Sequence, residues 1–398
     1  MIFNILAQTL GFIGALCLLL FGMSMLSDGI QKGAGKELQR LLGKIAGNRF
    51  TALLTGIGIT AIVQSSGATT VMVVSFVNAE ILTLNQAIGV IFGANIGTTV
   101  TAWIVSFFGF SFSISAAAIP IFGIGYLIKK FKRLKIHNFA DCFMGFALLF
   151  MGLDLLKASL SLNPSSAEIL KNLSSLKTFG LFVGVLIGAF ITALIHSSSA
   201  TTAIVLTMAA NGSLSWELSA SLVLGSNIGS TIDAVMSAIG ASTNAKRTAL
   251  VHVGFNTAGT FIILCFFKPF LALVDSIVPG TPETAITTHI AMLHTIFNFL
   301  ATLIFLPFVN QIASLNKKNN KRFGKRSGRT LHASSHFAIK SRKRRNLHLP
   351  DSEGDFKNER ARNGNDGHDK HSFCFARQCR RKNTGSRGQN KSLGKLYR

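Results

Sequence analysis

Of the 398 residues, 48% are hydrophobic and only 14% charged, with a formal net charge of +24. A soluble domain carries roughly a quarter charged residues, so the composition excludes an ordinary water-soluble fold. The charge is also segregated: residues 317–398 hold 24 Lys and Arg against 6 Asp and Glu, behind a strongly apolar body of residues 1–316.

About 20 apolar residues cross a bilayer as a helix. Ile5–Leu26 is the first such stretch; lacking a basic leader and a small-residue cleavage site, it reads as a retained span. Phe50–Val77 follows and is interrupted midway by small hydroxyl residues at Gln64–Thr70. Ordinary spans are expected at Gln86–Phe107, Phe112–Ile128 and Phe139–Leu156. A second interrupted stretch, Phe179–Ala210, breaks at His196–Thr202, and spans at Leu218–Ile239, Ala249–Phe267 and Ile286–Ile312 complete the body.

Basic clusters lie at Lys32–Arg49, Lys129–Lys135, Lys246–Arg247 and from Lys317 onward. The positive-inside rule puts all four in the cytoplasm, which requires an even number of crossings between neighbours. That parity fails if Phe50–Val77 and Phe179–Ala210 cross fully, and holds if each dips in and returns. The expected fold is therefore all-α and integral to the membrane, with about seven spanning helices, two re-entrant hairpins, the N-terminus outside and the tail inside. Non-helical backbone at membrane depth is tolerated only against protein or a watery cavity, so a hydroxyl-rich hairpin tip implies a cavity and a solute.

The sequence also repeats itself. Gln64–Thr70 reads Q-S-S-G-A-T-T, and 132 residues later His196–Thr202 reads H-S-S-S-A-T-T. At the same offset Gly93–Thr99 (G-A-N-I-G-T-T) matches Gly225–Thr231 (G-S-N-I-G-S-T); upstream, Leu20–Gly22 pairs more weakly with Phe150–Gly152, 130 residues apart. An odd number of crossings in the first unit inserts the second upside down, the inverted-repeat architecture of secondary transporters. The domains expected are residues 1–134 as one repeat, 135–316 as the inverted repeat with a final span, and 317–398 as a basic disordered tail.

Hard cations take several oxygen ligands, and Ser65, Ser66, Thr69, Thr70, Ser197, Ser198, Ser199, Thr201 and Thr202 offer hydroxyls, with amide oxygens on Gln64, Asn95 and Asn227. Small hydroxyl residues also serve helix packing in bilayers, but packing does not require the same heptapeptide twice. An oxyanion suits the free N–H groups and positive end of a half-helix. The expected spans hold no Lys or Arg in their interiors, so an anion there needs co-bound cations. Asp233 is an intramembrane carboxylate and a functional candidate for sodium or proton coupling. His196 is either a phosphate or pH-sensing group or a satisfied core imidazole, and Asp28 and Asp154 read as interfacial groups near helix ends.

Paired Q-S-S motifs, each followed by G-x-N-I-G-[TS]-T, resemble the type II sodium/phosphate cotransporter family and its bacterial members, over roughly Leu10 to Ile312. The resemblance implies sodium-coupled phosphate transport in a bacterial inner membrane, with sodium as coupling ion, no cofactor, no enzymatic activity and no nucleic-acid partner. A homodimer is one option for its assembly. It carries Gln64, Ser65 and Ser66 with Ser197, Ser198 and Ser199 as the repeated signature, and Asn95, Thr98, Thr99, Asn227, Ser230 and Thr231 as the segment after it. The chain departs from the pattern at His196 in place of Gln, at Gly67 where a third Ser often stands, and at Asp233. The tail does not resemble the PhoU-like helical domain of many relatives, and an out-of-frame origin for part of it is one reading. Alternatives are a sodium- or proton-coupled carrier of another small anion such as a dicarboxylate, and a membrane-anchored nucleic-acid or lipid-binding protein. A membrane enzyme lacks a metal-binding, paired-carboxylate or Ser-His-Asp motif.

Overall fold

A computed structural model describes residues 2–43, 48–111, 115–131, 136–160, 177–311 and 313. They fall in the unit Met1–Ser327; the basic tail expected from residue 317, disordered or out of frame, lies outside the described residues. Every regular element described is helical. In hydrocarbon a helix satisfies its own backbone, which is why apolar runs adopt it.

Helix α1 (Ile2–Gly43) leads into a pair of short helices, α2 (Arg49–Val63) and α3 (Ser66–Asn78), then α4 (Leu84–Ser106) and α5 (Ser115–Lys130). The second series is α6 (Ala140–Leu160), the short pair α7 (Lys177–Ile195) and α8 (Ser198–Ala210), then α9 (Trp216–Gly229) and α10 (Ile232–Ser237). Helices α11 (Thr243–Cys265), α12 (Phe267–Ile277) and α13 (Ile286–Phe305) follow. Among the described residues five helices are long and apolar enough to cross a membrane: Leu6–Ala34, Leu84–Phe110, His137–Ser159, Thr243–Cys265 and Ile286–Gln311.

Two expected spans look different. Helix α5 begins at Ser115, residues 112–114 lying outside the described ones. Leu218–Ile239 is split after Gly229. The Ser230 and Thr231 hydroxyls each donate 2.8 Å back to the Asn227 and Ile228 carbonyls, a local bond that competes with the helical ladder.

Helices α3 and α8 have 13 residues each, about 20 Å at 1.5 Å per residue, too short for a hydrocarbon core of about 30 Å. Their direction follows from the neighbouring pairs. Gly89 packs on Arg49 and Ala52, Gly93 on Leu53, and Gly97 on Ile57 and Ala61, so α2 and α4 run parallel. The chain must therefore come back along α3 before α4 starts. The contacts of Gly184 with Leu218, Gly225 with Val185 and Gly229 with Ala189 make α7 and α9 parallel and α8 the return arm. Both interrupted stretches are re-entrant hairpins.

The hairpins enter from opposite faces. Helices α1 and α6, which open the two series, are antiparallel: Gly22 lies on Leu149, Gly29 on Cys142 and Gly152 on Leu19. At the base of the first hairpin Arg49 donates to the Leu306 and Pro307 carbonyls (3.3 and 3.0 Å) just beyond α13. At the base of the second, Asn211 donates to the Lys157 carbonyl (3.2 Å) near the end of α6, and Trp216 meets His289 edge-on at the start of α13. Helix α13 thus runs from the second base to the first. On the face of the first base Lys32 and Lys129 share Asp141 at 2.8 Å each, and Ser242, ahead of Lys246 and Arg247, donates to Asn78 (2.7 Å); Lys157 and Lys268 lie on the face of the second.

Close approach of the parallel pairs depends on glycine. A Cβ on Gly93 would stand 2.0 Å from the Leu53 carbonyl oxygen, and one on Gly225 2.0 Å from that of Val185. Gly93→Ala and Gly225→Ala should each cost about 1–3 kcal/mol by overpacking, read as a lower unfolding temperature in detergent; Gly58→Ala, with open space around it, should not. In a cysteine-free background, Ala79→Cys and Glu217→Cys should react with an impermeant maleimide from opposite sides of sealed vesicles. Labelling from one side would refute the inverted arrangement.

Candidate functional site

The tips are built alike. Gln64 and His196 both adopt left-handed backbone with φ 59°, a conformation costing a non-glycine residue roughly 1 kcal/mol or more. Each closes its incoming helix, with its N–H on the Thr60 or Thr192 carbonyl at 2.8 Å. The next residue caps the return helix: Ser65 Oγ accepts from Ala68 N–H (3.1 Å) and Ser197 Oγ from Ala200 N–H (3.2 Å). A buried hydroxyl pair locks each tip, Thr60 to Thr69 at 3.0 Å and Thr192 to Thr201 at 2.8 Å.

The tips converge on a cavity of about 330 Å³. Its wall holds Gln64, Ser65, Ser66 and Gly67 from the first tip and His196, Ser197, Ser198 and Ser199 from the second, with Ser230 and Asp233 beside the α9–α10 break. The N-termini of α3 and α8 open onto it, and the first-turn N–H groups that no cap satisfies make a ready anion cradle. Helix α1 closes the wall with Ser24, Ser27, Asp28 and Gln31. Asp28, expected at an interface, lies here because α1 extends to Gly43 and does not end near it. Asp154 sits 3.6 Å from Lys157. The lining includes two carboxylates and neither Lys nor Arg.

Thr101 and Asp233 tie the tips to the helices behind them. Thr101 Oγ1 donates to Gln64 Oε1 (2.8 Å) and accepts from Ser199 Oγ (3.3 Å). Asp233 Oδ1 is 2.8 Å from His196 Nδ1.

Comparison with known proteins places this geometry. A profile of the family described as Na+/Pi-cotransporter matches residues 18–158 and 159–273. The chain belongs to the Na+/Pi-cotransporter family. Among its relatives, "Uncharacterized protein YqeW" of Bacillus subtilis is 30% identical over 304 residues, 76% of this chain and 94% of that protein. "Putative inorganic phosphate export protein YjbB" of Salmonella typhimurium is 27% identical over 306 residues, 77% of this chain but 54% of that protein, so the chain spans about half its length. "Sodium-dependent phosphate transport protein 2B" of Homo sapiens is 36% identical over 96 residues, 24% of this chain and 14% of that protein. No solved structure matches.

Other motif residues of this family member turn away from the cavity. Thr69, Thr70, Thr201, Thr202, Asn95, Thr98, Thr99, Asn227 and Thr231 are buried behind the tips; Thr98 and Thr99 donate to the Ala94 and Ile96 carbonyls. Asn95 Oδ1 lies 3.2 Å from His252 Nε2 on α11, and Asn227 Oδ1 lies 3.1 Å from His294 Nε2 on α13. Asn227 also donates to the Val223 carbonyl (3.0 Å), which fixes its oxygen toward His294. Asn256 and Asn298 donate to the carbonyls of His252 and His294 (3.1 and 2.9 Å). These four residues went unnoticed in the sequence although it carries their signal: H-V-G-F-N at 252–256 recurs as H-T-I-F-N at 294–298.

The His294 imidazole is the donor that satisfies the Asn227 amide oxygen, and His252 bonds the buried Asn95 amide in the matching place. His252→Ala or His294→Ala should cost about 1–3 kcal/mol from the orphaned acceptor alone, measured by thermal unfolding in detergent, and a Gln that keeps a donor should lose less.

Proposed function

We propose that this protein carries inorganic phosphate across the membrane, coupled to sodium ions, by alternating access. One observation carries the reading: two helix N-termini, related by the repeat and entering from opposite faces, open onto a single cavity. Phosphate oxygens suit the first-turn N–H groups of α3 and α8 and the hydroxyls of Ser66, Ser198 and Ser199. Sodium suits hydroxyl, amide and carboxylate oxygens, here from Ser65, Ser197, Ser230, Gln64 and Asp233, with His196 as a further phosphate donor. Thr69, Thr70, Thr201, Thr202, Asn95, Thr98, Thr99, Asn227 and Thr231 hold the tips in register from behind. With two carboxylates and neither Lys nor Arg in the wall, phosphate needs cations bound beside it, which is a physical reason for coupling. Family membership and the names of the relatives support the substrate, and the direction of transport follows the gradients. The basic face at the first hairpin's base is assigned to the cytoplasm by the positive-inside rule, which puts the tail inside.

Purified protein in proteoliposomes should accumulate radiolabelled phosphate when sodium is high outside, and lose it when the gradient is reversed. Ser66→Ala with Ser198→Ala should weaken phosphate binding about tenfold, the loss of roughly 1.4 kcal/mol of hydrogen bonding, without altering insertion. Flux that ignores the sodium gradient, or that carries succinate and excludes phosphate, would reject the assignment.

A further inference from the structure

The two halves differ where they meet. Under the 132-residue offset Gln64 corresponds to His196, Thr101 to Asp233 and Gly67 to Ser199. All three exchanges fall in one kind of contact. On one side Thr101 hydroxyl bridges Gln64 and Ser199 (2.8 and 3.3 Å), an all-neutral set. On the other, Asp233 Oδ1 holds His196 at 2.8 Å while Oδ2 faces Gly67, where a Cβ would stand 2.2 Å from it. A serine at 67, as at its counterpart 199, would force that carboxylate to turn away from where it now sits. Gly67 is therefore the complement of Asp233, and three separate departures from internal symmetry are one device.

We propose that Asp233 forms a cation site, taken by sodium, which the Thr101 side lacks, and that this ion makes phosphate binding conditional. The inference rests on the reading of the cavity as a sodium and phosphate site, and names which of the two tip contacts carries a charge. His196 occupies Oδ1, so Oδ2 is the oxygen left for a ligand. It lies at the first turn of α3, where an oxyanion is otherwise best received. A bare carboxylate there repels phosphate: like unit charges 4 Å apart lower affinity about fivefold in bulk water and more in a partly dry cavity. A sodium ion on Oδ2 cancels that charge and adds attraction, so the same residue weakens the empty site and strengthens the loaded one. Asp233 is then the residue that determines coupling, and Thr101 contributes only position.

The test uses the full chain in lipid nanodiscs and reads binding, not flux. Radioactive sodium binding is measured without phosphate, and phosphate binding is measured in sodium and in choline. Two variants are compared with the native protein: Asp233→Asn, nearly isosteric, and a triple exchange of Gly67→Ser, His196→Gln and Asp233→Thr. The triple variant writes the neutral arrangement already present at Gln64, Thr101 and Ser199 into the other half; should it not fold, Asp233→Asn carries the test alone. Sodium affinity is expected to fall about tenfold or more, and phosphate binding in choline to rise about fivefold, both from the removed charge, so the enhancement by sodium shrinks. Sodium affinity within twofold of native in Asp233→Asn, with the enhancement intact, overturns the proposal. A native protein that binds sodium but not phosphate would defeat the substrate reading while the sodium measurement still decides the role of Asp233.

Discussion

A helix that stops halfway through a bilayer leaves its terminal N–H groups with neither water nor a continuing chain to bond. Everything around α3 and α8 answers that constraint. The left-handed Gln64 and His196 reverse the chain, the Ser65 and Ser197 hydroxyls take one donor each, and the remaining donors face a shared cavity. Polarity is thus concentrated at one point of an apolar body because the hairpins could not otherwise end there.

Holding two such ends together requires close, rigid packing. The glycines of α4 and α9 let α2 and α7 approach to backbone contact, with the Gly93–Leu53 and Gly225–Val185 contacts repeating each other. Behind them, α11 and α13 reach into the Asn95 and Asn227 segments through matched imidazoles. Each tip is then set by a parallel partner helix on one side and a polar clamp on the other. The clamps come from outside the 132-residue repeat, so the pseudo-symmetry of the folded core is more complete than that of the chain order.

The hairpins and their inversion were legible because both rest on linear information: a doubled motif at one offset, and the parity of basic clusters. What lay beyond reach was which face of each motif points inward. In Q-S-S-G-A-T-T the residues just after the reversal face the cavity, while Thr69, one turn on, bonds Thr60; consecutive residues of a helix point in different directions, so one heptapeptide both lines the cavity and packs the tip. Asp28 was misplaced because the hydropathy of α1 falls near Leu26 although the helix runs on to Gly43. The α11 and α13 clamps were missed because their repeat spans only the five residues H-x-x-F-N, at a different offset from the main one.

An inverted repeat gives a carrier two equivalent faces, and strict equivalence would also give it two equivalent half-sites for ions. The exchanges at 67, 196 and 233 break that equivalence without touching the frame: α3 and α8 keep 13 residues each, their caps match, and the Thr60–Thr69 and Thr192–Thr201 locks both stand. A change confined to side chains at the tips alters the charge of the cavity while the backbones of the two hairpins stay alike. The likeness of the two hairpins is thus a property of their backbone, whereas the charge that tells one tip contact from the other is carried by Asp233, with the glycine that makes room for it.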